Sequence, residues 1–356
     1  MMKADIHIVG AGPAGATLAY HLSKKGYIVN VYEAAHKPGM KPCGRAIPGV
    51  EGIGVNIPSS CIQRPLRGAK LYVDGEEVFD LHGLNGYIID RTCMFQALIT
   101  DFGAEVFYRS RYDPNTSTVR VNGSNKITIP PSSILVNAGG HAYYPGEKIN
   151  AIQYIYETSI LDEQDEIEVY FDTELIGYYW VFPSTPGYAE VGVGGYADFN
   201  TLRTLLEKFT SKDPRFRDKT PSKIEGARIA VGGIKISKYN GSITIGEAAG
   251  FVLPLTGEGI RPSMLSALSL ANAIEKGKNP IKALEKSKIA KSIMIQRRIL
   301  EGVKKLSVPE RRELLRNIPG DLHASIALGN ISKMGITRAL VSKPKIAKML
   351  IKMAFS

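Results

Sequence analysis

Asp5-Ile6-His7-Ile8-Val9-Gly10-Ala11-Gly12-Pro13-Ala14-Gly15 is the stretch whose reading decides the fold. Residues 5–10 make a short apolar run suited to a buried strand, and Gly10, Gly12 and Gly15 stand at G-x-G-x-x-G spacing. From Pro13 to Lys25 the apolar spacing becomes helical and Gly26 ends it, while Tyr27–Glu33 alternates as a second strand. In such a β–α–β unit the first Gly permits the tight turn and the second lets the backbone approach a pyrophosphate. The third lets helix and strand pack closely, with the helix N-terminus turned toward the anion. Glu33 ends the second strand, where a carboxylate accepts hydrogen bonds from adenosine ribose hydroxyls and repels a 2′-phosphate. FAD or NAD is therefore favoured over NADP at this turn.

Outward from that unit, residues 34–68 are rich in Gly and Pro and read as a long functional loop. A hairpin is expected over 69–81 around Asp74-Gly75, a helix from Arg91 to Phe102, and short strands over 104–138 ending on Ile134-Leu135-Val136. From 151 to 233 the pattern is mainly of strands rich in Tyr and Phe, with one helix over 199–211. A buried strand returns at Ser242–Gly246, followed by small residues and a helix over Pro262–Ile274, then Lys- and Arg-rich helices to the end. The fold class is α/β with an α+β two-domain arrangement. A Rossmann-like nucleotide-binding domain (1–68, 84–150 and 225–280) accompanies a mainly antiparallel β substrate domain (69–83 and 151–224) and a helical C-terminal region (281–356).

The 356 residues are 44% hydrophobic and 22% charged, which excludes a disordered chain. Three Cys without a CxxC pair exclude a disulfide scaffold and structural zinc; Cys61 and Cys93 read as ordinary buried thiols. The six His show no metal-ligand spacing, so no metal is expected. No apolar run approaches the roughly 18 residues of a membrane span, and a soluble cytoplasmic protein is expected. The net charge is +11, of which residues 322–356 contribute six cations and no acid. This basic end fits an anionic membrane surface or an acidic partner; nucleic acid is not expected. Within it, Ile346, Met349, Leu350 and Met353 share one helical face beside Lys345, Lys348 and Lys352, which suits either an interfacial helix or a helix docked on a core.

Two distant segments complete a nucleotide site: Ile134–Gly140, and Ser242–Gly250 running on through Pro254, Gly257, Glu258, Gly259 and Ile260. With Gly10–Gly15, Glu33 and Arg91 they resemble the FAD-binding motifs of the p-hydroxybenzoate hydroxylase-like flavoproteins. Lys41-Pro42-Cys43-Gly44, Tyr87-Ile88-Ile89-Asp90-Arg91 and Tyr178-Tyr179-Trp180-Val181-Phe182-Pro183, followed by Val191-Gly192-Val193-Gly194, are similar to elements of the geranylgeranyl reductase family. The resemblance covers residues 1–275. Glu247 stands where the family has Asp, Leu175 replaces a Pro, and Ser184 replaces a basic residue.

The resemblance implies an FAD-dependent reductase acting on C=C bonds of geranylgeranyl or other isoprenoid chains of lipids. The FAD-binding residues it implies are Gly10, Gly12, Pro13, Ala14, Gly15, Glu33, Cys43, Gly44, Arg45, Arg91, Ala138, Gly139, Gly246, Glu247, Gly257, Gly259 and Ile260. Cys43, Tyr178 and Trp180 are the catalytic candidates, and Tyr178, Trp180, Phe182 and Tyr196 the candidate wall of the substrate site; the same aromatic stripe also suits domain core. Electrons would come from a ferredoxin-like protein or NAD(P)H, since Gly192–Gly195 lacks the strand–turn–helix context of a second dinucleotide site. The competing expectations are a flavin monooxygenase or halogenase-like enzyme, and a non-catalytic flavin-bearing lipid-binding or electron-transfer subunit.

Overall fold

Strand β1 (Ile6–Val9) is buried along its whole length and pairs in parallel with β2 (Val29–Tyr32) through helix α1 (Pro13–Lys24). The computed structural model describes residues 4–236, 238–239 and 241–355. Pro13 opens α1 at the position where a missing N–H costs no intrahelical bond. Ala14, Ala16, Leu18, Ala19 and Leu22 face the core. The chain continues through β3 (Ala46–Ile47), β4 (Ile62–Val73), β5 (Glu76–Ile89), α2 (Arg91–Thr100) and β6 (Glu105–Phe107). Strands β7 (Ser110–Asp113), β8 (Thr118–Val121) and β9 (Asn125–Thr128) form a small antiparallel sheet before β10 (Ile134–Asn137). Next come β11 (Lys148–Glu157), β12 (Glu166–Asp172), β13 (Gly177–Pro183), β14 (Tyr188–Gly195), helix α3 (Phe199–Lys212) and β15 (Lys223–Ala230). The order then runs β16 (Lys238–Tyr239), β17 (Ser242–Thr244), α4 (Ile260–Glu275), α5 (Pro280–Lys286), α6 (Lys288–Lys304), α7 (Val308–Arg316), α8 (Gly320–Ala327), α9 (Lys333–Ser342) and α10 (Pro344–Phe355).

Two large sheets organise the molecule. The first has the order β16-β17-β10-β1-β2-β6 and is parallel except at its β16–β17 edge, with α1, α2 and α4 packed on it around a core that includes Ile8, Leu18, Phe95, Val136 and Leu270. The second has the order β15-β11-β14-β13-β12-β4-β5-β3 and is antiparallel except where β12 lies parallel to β4. Helix α3 covers one face of it, Leu202 and Leu206 meeting Tyr154, Tyr156, Tyr179 and Val191. The face toward the first sheet is left to a cavity.

Several expectations require correction. The Asp74-Gly75 turn lies where the hairpin was read, with both residues at positive φ. Its strands, however, extend to Ile62 and Ile89, past the boundaries at 68 and 84, because bulges near Arg64, Gly68 and Tyr72 break the alternation that marks a strand. Strand β15 joins the larger sheet, although the 225 boundary assigned most of it to the nucleotide-binding part. Cys61 and Cys93 are not separate thiols: they form a disulfide that ties the start of β4 to the first turn of α2, and Cys43 is the free cysteine. Of the two expectations for the C-terminal stripe, the helix docked on a core is the one that the packing bears out. Ile346 and Leu350 are buried with Ile299, Leu314 and Leu322, and Met349 and Met353 pack beside them. Among the described residues no helix is long and apolar enough to cross a membrane.

Candidate functional site

Glycine at three positions builds the turn after β1. Gly10 has φ +93°, and a Cβ there would lie 2.6 Å from the Ala138 carbonyl oxygen. A Cβ on Gly15 would collide with the Gly10 carbonyl, whereas one on Gly12 would meet nothing within 4 Å. The middle glycine thus faces open space at the uncapped N-terminus of α1, where a pyrophosphate can lie against backbone N–H groups. Glu33 is held in place by the Ala11 and Ala35 amides, at 2.7 and 2.8 Å.

That space is one end of a cavity of about 820 Å³ between the two large sheets. Gly10, Gly12, Pro13, Ala14, Glu33, Cys43, Gly44, Arg45, Arg91, Ala138, Gly139, Tyr178, Trp180, Phe182, Glu247, Gly257, Gly259 and Ile260 all line it. Gly15 and Gly246 stand behind the lining, Gly15 against Gly10 and Gly246 against Ala14. Tyr196 is not brought into the cavity: its hydroxyl donates to Glu147 at 3.0 Å and its ring lies under the Lys304 ammonium.

Three polar groups fix the loop 38–45 over the cavity. Arg91 opens α2 after the Asp90 N-cap, and its buried guanidinium donates to the Lys41 carbonyl while its Nε has no partner. Lys41 contacts both oxygens of Glu247 at 2.7 Å. Glu247 also accepts from the Ala230 amide at 3.2 Å, so the longer side chain standing in place of Asp is tied to a cation of the loop. Burial, with Lys41 beside it, holds His141 below the usual imidazole range. Arg45, at φ +58°, reaches Glu190, which is 1% exposed and also accepts from Ser184. Burial lowers the Arg45 guanidinium from its ordinary value.

The aromatic stripe divides by strand alternation. Tyr178, Trp180 and Phe182 face the cavity, while Tyr179 and Val181 face α3, Tyr179 stacking on Phe209 at 4.6 Å. Trp180 lies on Gly192, its cross-strand partner, and a Cβ there would strike the indole. The glycine run 192–195 is therefore part of the bed for this aromatic row. Gly44 packs against Phe182, and a Cβ on it would come 3.8 Å from Trp180 Nε1, which places the Cys43–Gly44 turn on the aromatic row. Cys43 is half-buried and accepts from the Arg45 amide at 3.4 Å. Tyr178 donates its hydroxyl to the Thr256 carbonyl, and burial pushes its ionisation up. It thereby braces the turn at 253–257 and keeps its proton. Directly after that turn Glu258 is buried against Arg261 at 2.9 Å, and desolvation raises its carboxyl above the usual range.

Sequence reading missed His141, Lys41 as the partner of Glu247, and Glu258, although Lys41 and Glu258 sit inside the quoted motifs. It also missed His323 and Ala327 of α8, which line the cavity and carry no local signal. Asp80, His82 and Glu166 converge across β5 and β12, but His82 is exposed and the group reads as surface ion pairs.

The residues present fit FAD: a turn open to a pyrophosphate, a held carboxylate for the ribose, an unpartnered Arg91 Nε and the uncapped start of α4 at Gly259. Residues 8–64 match the model of the NAD(P)-binding Rossmann-like domain. The chain is 28% identical to digeranylgeranylglycerophospholipid reductase of Methanococcus vannielii over 289 residues, 73% of this chain and 74% of that protein. It is 27% identical to digeranylgeranylglycerophospholipid reductase 2 of Methanothermobacter thermautotrophicus, covering 98% and 99% of the two chains. Among solved structures, a geranylgeranyl bacteriochlorophyll reductase-like protein of Thermoplasma acidophilum superposes with a TM-score of 0.79 at 21% identity over 98% of this chain and 99% of that one. The flavin-dependent brominase Bmp2, as a triple mutant, does so with 0.71 at 15% identity over 96% and 99%. By its nucleotide turn and its cavity the chain fits an FAD-type nucleotide site, and over nearly its whole length it is similar to proteins named digeranylgeranylglycerophospholipid reductase.

Proposed function

We propose that this protein reduces C=C bonds in geranylgeranyl chains of membrane lipids. One observation carries the reading: the nucleotide turn and an apolar, aromatic-floored compartment belong to a single cavity. The first sheet would hold the cofactor and the second the prenyl chain. Bound FAD, reduced by an external donor, supplies a hydride. An isolated alkene has no carbonyl to accept charge, so a proton must reach the other carbon of the bond. Cys43 would give it; the free thiol, on the turn that packs against Phe182 and Trp180, supports that role. One hydride and one proton saturate one bond, and the sulfur regains its proton from water.

Trp180 and Phe182 give the chain a flat apolar floor and, with Leu71, Val169 and Phe171, exclude water from the reacting bond. Tyr178 and Arg91 are positioning residues, the first through the Thr256 carbonyl and the second through the loop that carries Cys43. Electrons enter from a ferredoxin-like carrier or NAD(P)H, and contact with the membrane surface brings the substrate.

The test is anaerobic. The flavin of the purified protein is reduced, prenyl lipids are added, and products are weighed by mass spectrometry. The expected result is a gain of two hydrogens per bond together with flavin reoxidation. Reduced flavin that persists beside unchanged lipid refutes the reading, and oxygen-dependent hydroxylation would assign the chain to monooxygenase chemistry.

A further inference from the structure

Helix α8 brings His323 and Ala327, one turn apart, to the cavity wall. The imidazole is 8% exposed, stacks on Phe79 at 5.1 Å, and among the described residues its ring nitrogens have no hydrogen-bond partner. The surrounding cavity wall is aliphatic: Leu71, Leu81, Leu84 and Ala327. Sheet register fixes how far this lies from the aromatic row. Trp180 pairs with Val169, Val169 with Leu71, and Leu71 with Phe79, so three strand spacings, about 14 Å, separate Trp180 from the strand that His323 covers. An imidazole that opens on an otherwise apolar cavity can exchange one hydrogen bond with a ligand that displaces water. The nearby Arg261 guanidinium, which reaches the Ala327 carbonyl, is already paired with Glu258.

We propose that His323 anchors an uncharged oxygen of the prenyl ligand, a hydroxyl or an ether, and so fixes which stretch of the chain lies over the aromatic row. The anchor rests on the reading of this cavity as a prenyl site. Hydroxyl and ether share the chemistry, and they differ in whether the ring accepts or must donate.

The test is equilibrium dialysis of the FAD-loaded protein with three ligands of equal chain length: a C20 prenol, its methyl ether, and the oxygen-free polyene. The wild type should bind one or both oxygenated ligands roughly tenfold more tightly than the hydrocarbon. His323→Phe should bring the ratio of oxygenated to hydrocarbon affinity to about one, while His323→Gln keeps most of the preference. Tight binding of the prenol alone identifies a hydroxyl donor; equal binding of the ether identifies an acceptor oxygen. A wild type that binds the three alike, or none, overturns the proposal, as does His323→Phe that weakens all three equally. If the lipids bind in this order but are never reduced, the reductase reading fails and the anchor stands.

Discussion

Replacing Gly192 with Ala tests the aromatic floor directly. The added Cβ would approach three indole atoms of Trp180; Cη2, the least crowded of them, would lie 2.7 Å away, against 3.4 Å for ordinary contact. The ring has to retreat by more than that difference. The strand lies beneath it, so the way open is toward the cavity that Trp180 lines. Elsewhere in a strand, Gly to Ala stabilises by about 0.4–1 kcal/mol through the unfolded chain, whereas overpacking a filled site costs about 1–3 kcal/mol. The expected net effect is a loss of roughly 1–2 kcal/mol, read as a lower denaturant midpoint. Because the displaced ring occupies ligand space, prenyl-lipid affinity should fall more steeply, by on the order of tenfold or more, while flavin content stays stoichiometric. Gly194→Ala is the control: its Cβ would stand 3.3 Å from Ala151 Cβ and 3.7 Å from the indole, and little should change. A Gly192→Ala protein as stable as the parent, with undiminished lipid affinity, refutes the argument that this glycine seats the tryptophan.

Four further outcomes are expected. Cys43→Ala should retain FAD and bind lipid but lose about 10²- to 10⁴-fold in turnover, as for a removed general acid; single-turnover flavin reoxidation measures it, and full activity would exclude the thiol. Cys93→Ser opens a loop of 32 residues and should lower stability by roughly 3–4 kcal/mol, read from urea midpoints with and without reductant on the parent protein. Burial holds His323 at about 4 against an ordinary 6.5, so the unfolded chain binds the extra proton first; its contribution is complete above pH 6.5 and is lost as pH falls toward 4, on the order of 3 kcal/mol. In His323→Phe the acid limb of the stability profile should flatten accordingly, the lowered His7, His21 and His141 still contributing their part. Leu350→Ala should cost about 2–5 kcal/mol because that side chain is buried between α10 and α6, whereas Lys348→Ala and Lys352→Ala on the exposed side should leave the melting curve unchanged.

What was legible in the sequence was local. The Gly10–Gly15 turn, Glu33 and the Asp74-Gly75 hairpin each state their geometry within a few residues, through backbone conformations that other side chains resist. The alternation of Tyr178, Trp180 and Phe182 fixed a common face without telling whether it bordered core or cavity; the opposite face took the core. Long-range placement was hidden. Cys61 and Cys93 are 32 residues apart and meet only because β4 begins beside the first turn of α2. Tyr196 has the composition of a lining residue, yet Glu147 and Lys304, from β11's approach and α6, hold it elsewhere. His323 reaches the cavity because α7 docks on the hairpin through Arg312–Asp74 and Arg316–Glu76, pairs separated by more than half the chain.

The parallel pairing of β4 with β12 sets a schedule for synthesis. Gly68 must wait for Glu166, which emerges 98 residues later; at about 5–20 residues per second the ribosome leaves that edge of the hairpin uncovered for roughly 5–20 s. During that interval the nascent hairpin carries its own protection against sticking to other chains. Arg67 and Lys70 lie on the waiting edge, and the irregularities at Arg64 and Gly68 keep it from presenting a flat template. Smoothing those bulges to gain hairpin stability would thus be expected to lower the yield of soluble protein in the cell, even where the finished molecule gained in melting temperature.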